Sequence, residues 1–181
     1  MSFATTVHRG RRPSKPTTGF LPARRATAEP VWGDILGRFT SAALRARPTR
    51  ICLVSPWITE TDHGRLRLLV RHADAQDAEL IVVSRPPSTR PAEQAIELAR
   101  SARSHRVLVS DALHAKMYIA QEADGRGVAL VGSANMTAGG TRLAEVGVLL
   151  RPLSGSALIN DLVRVALSQL GARPLDAGRQ Q

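Results

Sequence analysis

The chain has 181 residues, 43% of them hydrophobic, which is enough for one domain with a real core and too little for two. No apolar run reaches the length of a membrane span, no secretory hydrophobic region follows Met1, and the lone Cys52 cannot form an internal disulfide. A transmembrane protein and a disulfide-stapled secreted scaffold are therefore not expected, and a cytoplasmic location is.

The formal net charge is +10 and the sequence pI about 11.5. That balance favours polyanionic partners, meaning nucleic acid or an anionic membrane surface, although arginine-rich coding leaves the same mark. Nearly all of the positive charge is arginine; the lysines are Lys15 and Lys116. A lysine used so sparingly suggests a need for its compact ammonium.

Residues 1 to 28 carry Arg9, Arg11, Arg12, Lys15, Arg24 and Arg25 without an acidic residue. They read as a basic, disordered arm, either one that strengthens nucleic-acid binding through phosphate contacts without sequence information or a merely solvated tail. The composition also matches a mitochondrial presequence, but Pro13, Pro16 and Pro22 interrupt the amphipathic helix that such a signal needs. Val31 to Arg47 reads as a helix with Trp32, Ile35, Leu36, Phe39 and Ala43 on one face, stopped by Pro48. Arg50 to Pro56 is a buried strand. A second helix follows, capped by Thr61 or Asp62, with Leu66, Leu69, Val70 and Ala73 inward. Glu79 to Ser84 is another buried strand. A third helix is capped by Ser88 or Thr89, has Pro91 in its first turn, and turns Ala95, Ile96 and Ala99 inward. Arg106 to Ser110 is the third strand.

This alternation predicts an α/β fold with a mixed, mostly parallel β-sheet flanked by helices, over residues 29 to 171. Leu113 to Gln121 then alternates, Asp124 to Gly127 supplies turn chemistry, and Val128 to Gly132 returns as a strand. Ala144 to Leu150 reads as one more strand. A last helix runs from about Ser154 to Leu170 with Leu158, Leu162, Val165 and Leu170 along one side. Residues 172 to 181 form a polar tail. No internal repeat is present.

The segment from His114 to Asn135 concentrates the chemistry. On a strand, His114 and Lys116 project together while Ala115 and Met117 face the core. An imidazole titrates near neutrality and serves as nucleophile or general acid, and an adjacent ammonium neutralises a phosphoryl oxygen. Gly132 lets the backbone approach a ligand, and Ser133 and Asn135 offer a hydroxyl and an amide to phosphate oxygens. Backbone amides over Met136 to Gly139 point at the same anion. Ser55 and Trp57 lie where they line the entrance of a cleft or simply end a strand. His8, His63, His72 and His105 have no partners at metal-ligand spacing and read as surface residues, so no metal site is expected. With aromatics at 3% of the chain, a base-stacking platform for single strands is poorly supported.

His114-Ala115-Lys116, followed after a hairpin by Gly132-Ser133-Ala134-Asn135, resembles the HKD motif of the phospholipase D superfamily. Val54 to Thr59 is similar to that family's first core strand and its turn. The resemblance implies that two such motifs meet across a two-fold axis. One histidine attacks phosphorus to give a phosphohistidine and the other protonates the leaving oxygen, with no metal or other cofactor. It also places Glu145 where the family often has an acidic residue that orients the imidazole. The family's Asp, five residues after the Lys, is Gln121 here, and Asp124 is wrongly spaced to replace it.

With one motif and no repeat, a complete site implies a homodimer. The expected function is a metal-independent phosphodiesterase, a nuclease acting on DNA or RNA. His114, Lys116, Asn135 and Glu145 are its catalytic candidates, and Gly132, Ser133 and Ser55 its substrate contacts. Two alternatives stand beside it. One is a catalytically weak nucleic-acid-binding or dimerising module of a larger complex, suggested by Gln121. The other is a phospholipid phosphodiesterase.

Overall fold

The computed structural model describes residues 26–60, 64–137, 145–152, 157–168 and 170–175. The basic arm up to residue 25, the helix cap expected at Thr61 or Asp62, the amides of Ala138 and Gly139, and Ala144 and Ser154 lie outside that set.

The chain runs β1 (Ala26–Trp32), α1 (Ile35–Ala43), β2 (Pro48–Val54), α2 (Arg65–Ala75), β3 (Glu79–Ser84), α3 (Arg90–Arg100), β4 (His105–Val109), β5 (Met117–Glu122), β6 (Gly127–Gly132), β7 (Val146–Pro152), α4 (Leu158–Ser168) and β8 (Arg173–Pro174). The strands form one sheet in the order β1-β7-β6-β5-β2-β3-β4-β8. Alternate residues of each strand feed two separate cores. Ile51, Leu53, Leu80, Val82, Tyr118, Ala120 and Leu130 pack under the first three helices. Cys52, Val54, Ile81, Val83, Met117 and Ile119 pack with Ile159, Val163 and Ala166 of α4. Helices on both faces explain why β2 and β3 are continuous apolar runs. Burial within the second core pushes the Cys52 thiol up to about 12, so it is an inert packing group.

The sheet is mostly antiparallel, not mostly parallel. Among the described strands only β2–β3 and β3–β4 pair in parallel, and every other pairing runs antiparallel. The βαβ units do give parallel neighbours, as the alternation predicts. The chain then returns to the opposite side of β2 in the reverse direction, and a tight hairpin forces the next strand antiparallel as well. Gly127 is necessary to that hairpin: its φ is +139°, and a Cβ there would lie 2.0 Å from the Ala120 carbonyl oxygen.

Three further expectations are corrected. Residues 26–32 form a strand that overlaps both the expected arm and the expected first helix, so Trp32 leaves the helix face and is 68% exposed. Pro30 obscures this strand in the sequence, and it is tolerated because β1 is at the sheet edge. α1 instead starts at Asp34, whose carboxylate accepts from Gly37 N at 3.0 Å. On α4 the buried residues are Ile159, Val163 and Ala166, and Val165 is exposed. The apolar stripe is broad enough that its centre is one residue from the expected line. Finally, the expected alternation of the His114 strand is absent: Met117 to Gln121 are all buried, because β5 is central and covered on both sides. The second and third helices bury the residues anticipated for them, with Thr89 capping α3.

At the far end of the central strands a polar network closes the sheet. Glu79 accepts Arg50 Nε at 2.9 Å and Arg106 Nε at 2.6 Å. Arg50 also donates to Gln121 Oε1 at 3.2 Å, and Gln121 Nε2 donates to Asn160 of α4. Burial works to raise the Glu79 carboxyl, but the hydrogen bonds and charges of Arg50 and Arg106 outweigh it and hold the group below its ordinary value. A lowered folded value adds stability above the unfolded carboxyl value of about 4.3, and that stability is lost as pH falls through the folded value. Glu79→Gln should therefore reduce stability near neutrality by roughly 1 kcal/mol, as for partly exposed pairs, and should flatten the acid limb. Urea midpoints followed into the acid range check this, and parallel profiles for the two proteins would overturn it.

Candidate active site

The candidate residues lie together at one end of the central strands. Ser55 follows the last residue of β2, Arg85 follows β3, His114 and Lys116 lead into β5, Gly132 ends β6, and Glu145 precedes β7. This is the carboxyl end of the parallel strands, beside the β2–β5 boundary where the connections change direction, which is where open α/β sheets bind ligands.

His114 to Lys116 form an extended approach to β5 rather than part of its ladder. The Lys116 carbonyl still accepts Gly132 N at 3.3 Å, and Met117 pairs with Val131, so the His-Lys segment runs alongside Gly132 to Asn135. His114 is exposed and Lys116 half-buried, while Ala115 packs against the α4 core. The Lys116 ammonium donates to the His114 carbonyl at 3.1 Å, which ties the two residues together and leaves further N–H bonds for an anion. Among the described residues none pairs with the His114 ring.

The segment after β6 is held from several directions. Tyr118 donates its buried hydroxyl to the Ala134 carbonyl at 2.8 Å. Burial keeps that phenol well above its ordinary value, so it stays a neutral donor. The buried Ser55 hydroxyl accepts Met136 N at 3.1 Å and donates to the Trp57 carbonyl at 2.8 Å, with Asn135 Oδ1 3.4 Å away. Ile58 bridges to Met136, and Thr59 N reaches the Met136 carbonyl at 2.8 Å. Ser55 is thus a brace for Asn135 rather than an exposed substrate contact. Its hydroxyl lies against the Asn135 carboxamide and holds the backbone of the next residue.

Three other expected roles take a different form. The Ser133 hydroxyl is paired with the buried Glu145 carboxylate and also accepts Val146 N at 3.1 Å. Glu145 therefore contacts Ser133, and among the described contacts it does not touch His114. Gly132 is required by packing: a Cβ there would lie 2.7 Å from the Val146 carbonyl oxygen and 3.1 Å from Ile35 Cδ1. Gln121 is at the opposite end of β5, roughly 13 Å along the strand from Met117 at the strand rise, and faces Asn160 on α4. Asp124 caps its own turn through Arg126 N at 3.0 Å. Neither belongs to the His114 site.

Sequence reasoning missed Tyr118 and Arg85. Tyr118 is the only tyrosine and is two residues beyond Lys116, which is a usable signal. Arg85 gave none, because its relation to the site depends on the β3 turn. A concavity of about 500 Å³ between α1, β1 and β7 is lined by Arg38, Arg45 and Arg151 together with Glu29 and Asp34. It lies away from His114, so volume alone does not locate the chemistry.

No family model matches the chain, and no curated protein is significantly similar to it. Solved structures are similar. Nuc from Salmonella typhimurium, a phospholipase D family member, aligns at 17% identity with a TM-score of 0.65 over 83% of this chain and 98% of that one. NucT from Helicobacter pylori aligns at 12% identity and a TM-score of 0.60, covering 78% and 94%. Phosphatidylserine synthase from Haemophilus influenzae aligns at 13% identity and a TM-score of 0.58, covering 84% of this chain but 41% of its own. The fold is that of the phospholipase D superfamily.

Tyr118→Phe should leave the Ala134 carbonyl without its buried donor and cost about 1–2 kcal/mol of stability. Thermal denaturation checks this, and unchanged stability would show that the hydroxyl is not holding the loop.

Proposed function

We propose that this chain is a phosphodiesterase cleaving nucleic acid through a phosphohistidine on His114, in a site completed by a second copy. The observation that carries this reading is an exposed imidazole alongside the braced Gly132–Asn135 segment, at the ligand edge of a phospholipase D fold. The His114 imidazole attacks phosphorus while the Lys116 ammonium and the Asn135 amide neutralise the non-bridging oxygens. His114 of the second copy protonates the leaving oxygen. That imidazole, now neutral, takes a proton from water, whose oxygen attacks phosphorus and releases the first imidazole. One imidazole cannot be nucleophile and acid in the same step, so a single chain has only half of the machinery. Charge neutralisation by side chains removes the need for a metal ion.

Two features support the rest of the reading. The formal charge of +10 suits a phosphate polymer. Beside the site, α4 leaves part of the sheet uncovered, where Trp32, Val131, Val146 and Val148 are exposed. Trp32 pairs with Val146 and Val131 with Val148, so they share one apolar face at the ligand edge. A second copy related by a two-fold axis would cover that face and bring the two His114 residues together. The alternative of a non-catalytic module drew on Gln121, which is a structural residue at the other end of β5. Among the described residues no helix is long and apolar enough to cross a membrane.

Hydrolysis of oligonucleotides should persist in EDTA and fall by about 10³-fold or more in His114→Ala, the size of a lost nucleophile or acid. A requirement for Mg²⁺ would overturn the mechanism. Val146→Asp should shift the protein to a monomer in analytical ultracentrifugation and remove hydrolysis in parallel; a fully active monomer would exclude the shared site.

A further inference from the structure

The turn after β2 and the turn after β3 enclose a pocket of about 130 Å³ that the phosphate chemistry does not use. Trp57 and Arg85 form one part of it, and Pro86, Pro87 and Ile96 line much of the rest. Trp57 is 49% exposed, which is unusual for an indole fixed in place. Arg85 is over its ring, with the guanidinium carbon 5.0 Å from the centroid. Both residues are tied to the catalytic edge. Arg85 Nε donates to the Leu113 carbonyl at 2.9 Å, immediately before His114. The Trp57 carbonyl receives the Ser55 hydroxyl, which also holds Met136 N.

The geometry points to a subsite for one unpaired nucleobase next to the scissile phosphate, built on Trp57 and Arg85, which makes single-stranded nucleic acid the substrate. This rests on the nuclease reading of the His114 site. The chemistry of the lining selects the occupant. An indole backed by a guanidinium stacks with a flat π-system, and the proline and isoleucine walls favour the faces of a ring over a strongly hydrated group. The fixed cation opposes the ammonium headgroups of common phospholipids, and the pocket is too small for an acyl chain. A base within a duplex is already stacked and paired on both sides, so it enters such a pocket only after costly unstacking, whereas a base in a single strand is available. The low aromatic content counts against a stacking platform along a single strand, whereas a subsite for one base needs only one aromatic side chain.

The test uses the full chain with oligothymidylate, an abasic deoxyribose-phosphate oligomer of equal length, and a duplex. Oligothymidylate should quench the tryptophan fluorescence of the wild type, and this quenching should be absent in Trp57→Ala. Trp57→Ala should also bind oligothymidylate roughly tenfold more weakly, the size of one lost base–aromatic stack, and Trp57→Phe should recover the affinity. The abasic oligomer should bind wild type and Trp57→Ala equally. The wild type should cleave the single strand faster than the duplex, and Trp57→Ala should show a higher KM on the single strand with kcat less affected. Equal affinity of wild type and Trp57→Ala for oligothymidylate, or equal cleavage of single strand and duplex, would overturn the subsite. Quenching without any hydrolysis would retain the subsite and remove the nuclease reading. Hydrolysis indifferent to Trp57 would do the reverse.

Discussion

The antiparallel pairing of β2 with β5 is the constraint on which the site depends. It places Val54 opposite Met117, so the turn after one strand meets the approach to the other. Ser55 and Met136 are thereby brought into hydrogen-bonding contact although they are far apart in sequence. The pairing is specified by burial on both faces: Ile51, Leu53, Tyr118 and Ala120 belong to one core, and Cys52, Val54, Met117 and Ile119 to the other. A slip of one residue would exchange the two sets and would turn the Tyr118 hydroxyl away from Ala134. Register in the apolar sheet and order in the candidate site are therefore the same property.

The site is rigid where ligand atoms must be placed and open where a ligand must enter. Tyr118, Ser55 and the Ile58–Met136 bridge fix the backbone around Asn135, so little reorganisation is needed when an anion binds. His114 is outside that braced segment and is exposed. Such an imidazole is open to solvent. The exposed valines and Trp32 beside it are a burden for an isolated chain, and the proposed second copy would cover them.

The network around Glu79 accounts for the departure from the HKD pattern. In a strand that crosses the sheet, a residue five positions beyond Lys116 is at the other edge and projects toward the opposite face. The side chain there meets Arg50 and Asn160. Glu79 already offers a carboxylate to Arg50 and Arg106, so a neutral amide completes the network, with its oxygen toward the arginine and its nitrogen toward α4. Gln121 thus bears on how α4 is attached and not on how a phosphate is attacked.

By itself the sequence determined the local and the chemical: the parallel βαβ portion, the inward faces of the second and third helices, and the pairing of a His-x-Lys segment with a Gly-Ser-x-Asn segment across a hairpin. These follow from periodicity, capping and turn chemistry, each of which acts over a few residues. Only the tertiary structure decided the antiparallel majority of the sheet, the edge strand at residues 26–32, the brace of Ser55 and Tyr118 on Asn135, the pairing of Ser133 with Glu145, and the stacking of Arg85 on Trp57. Each of those depends on which strands become neighbours. Strand order is set by the burial of two cores at once, a sum over the whole chain that no local pattern records.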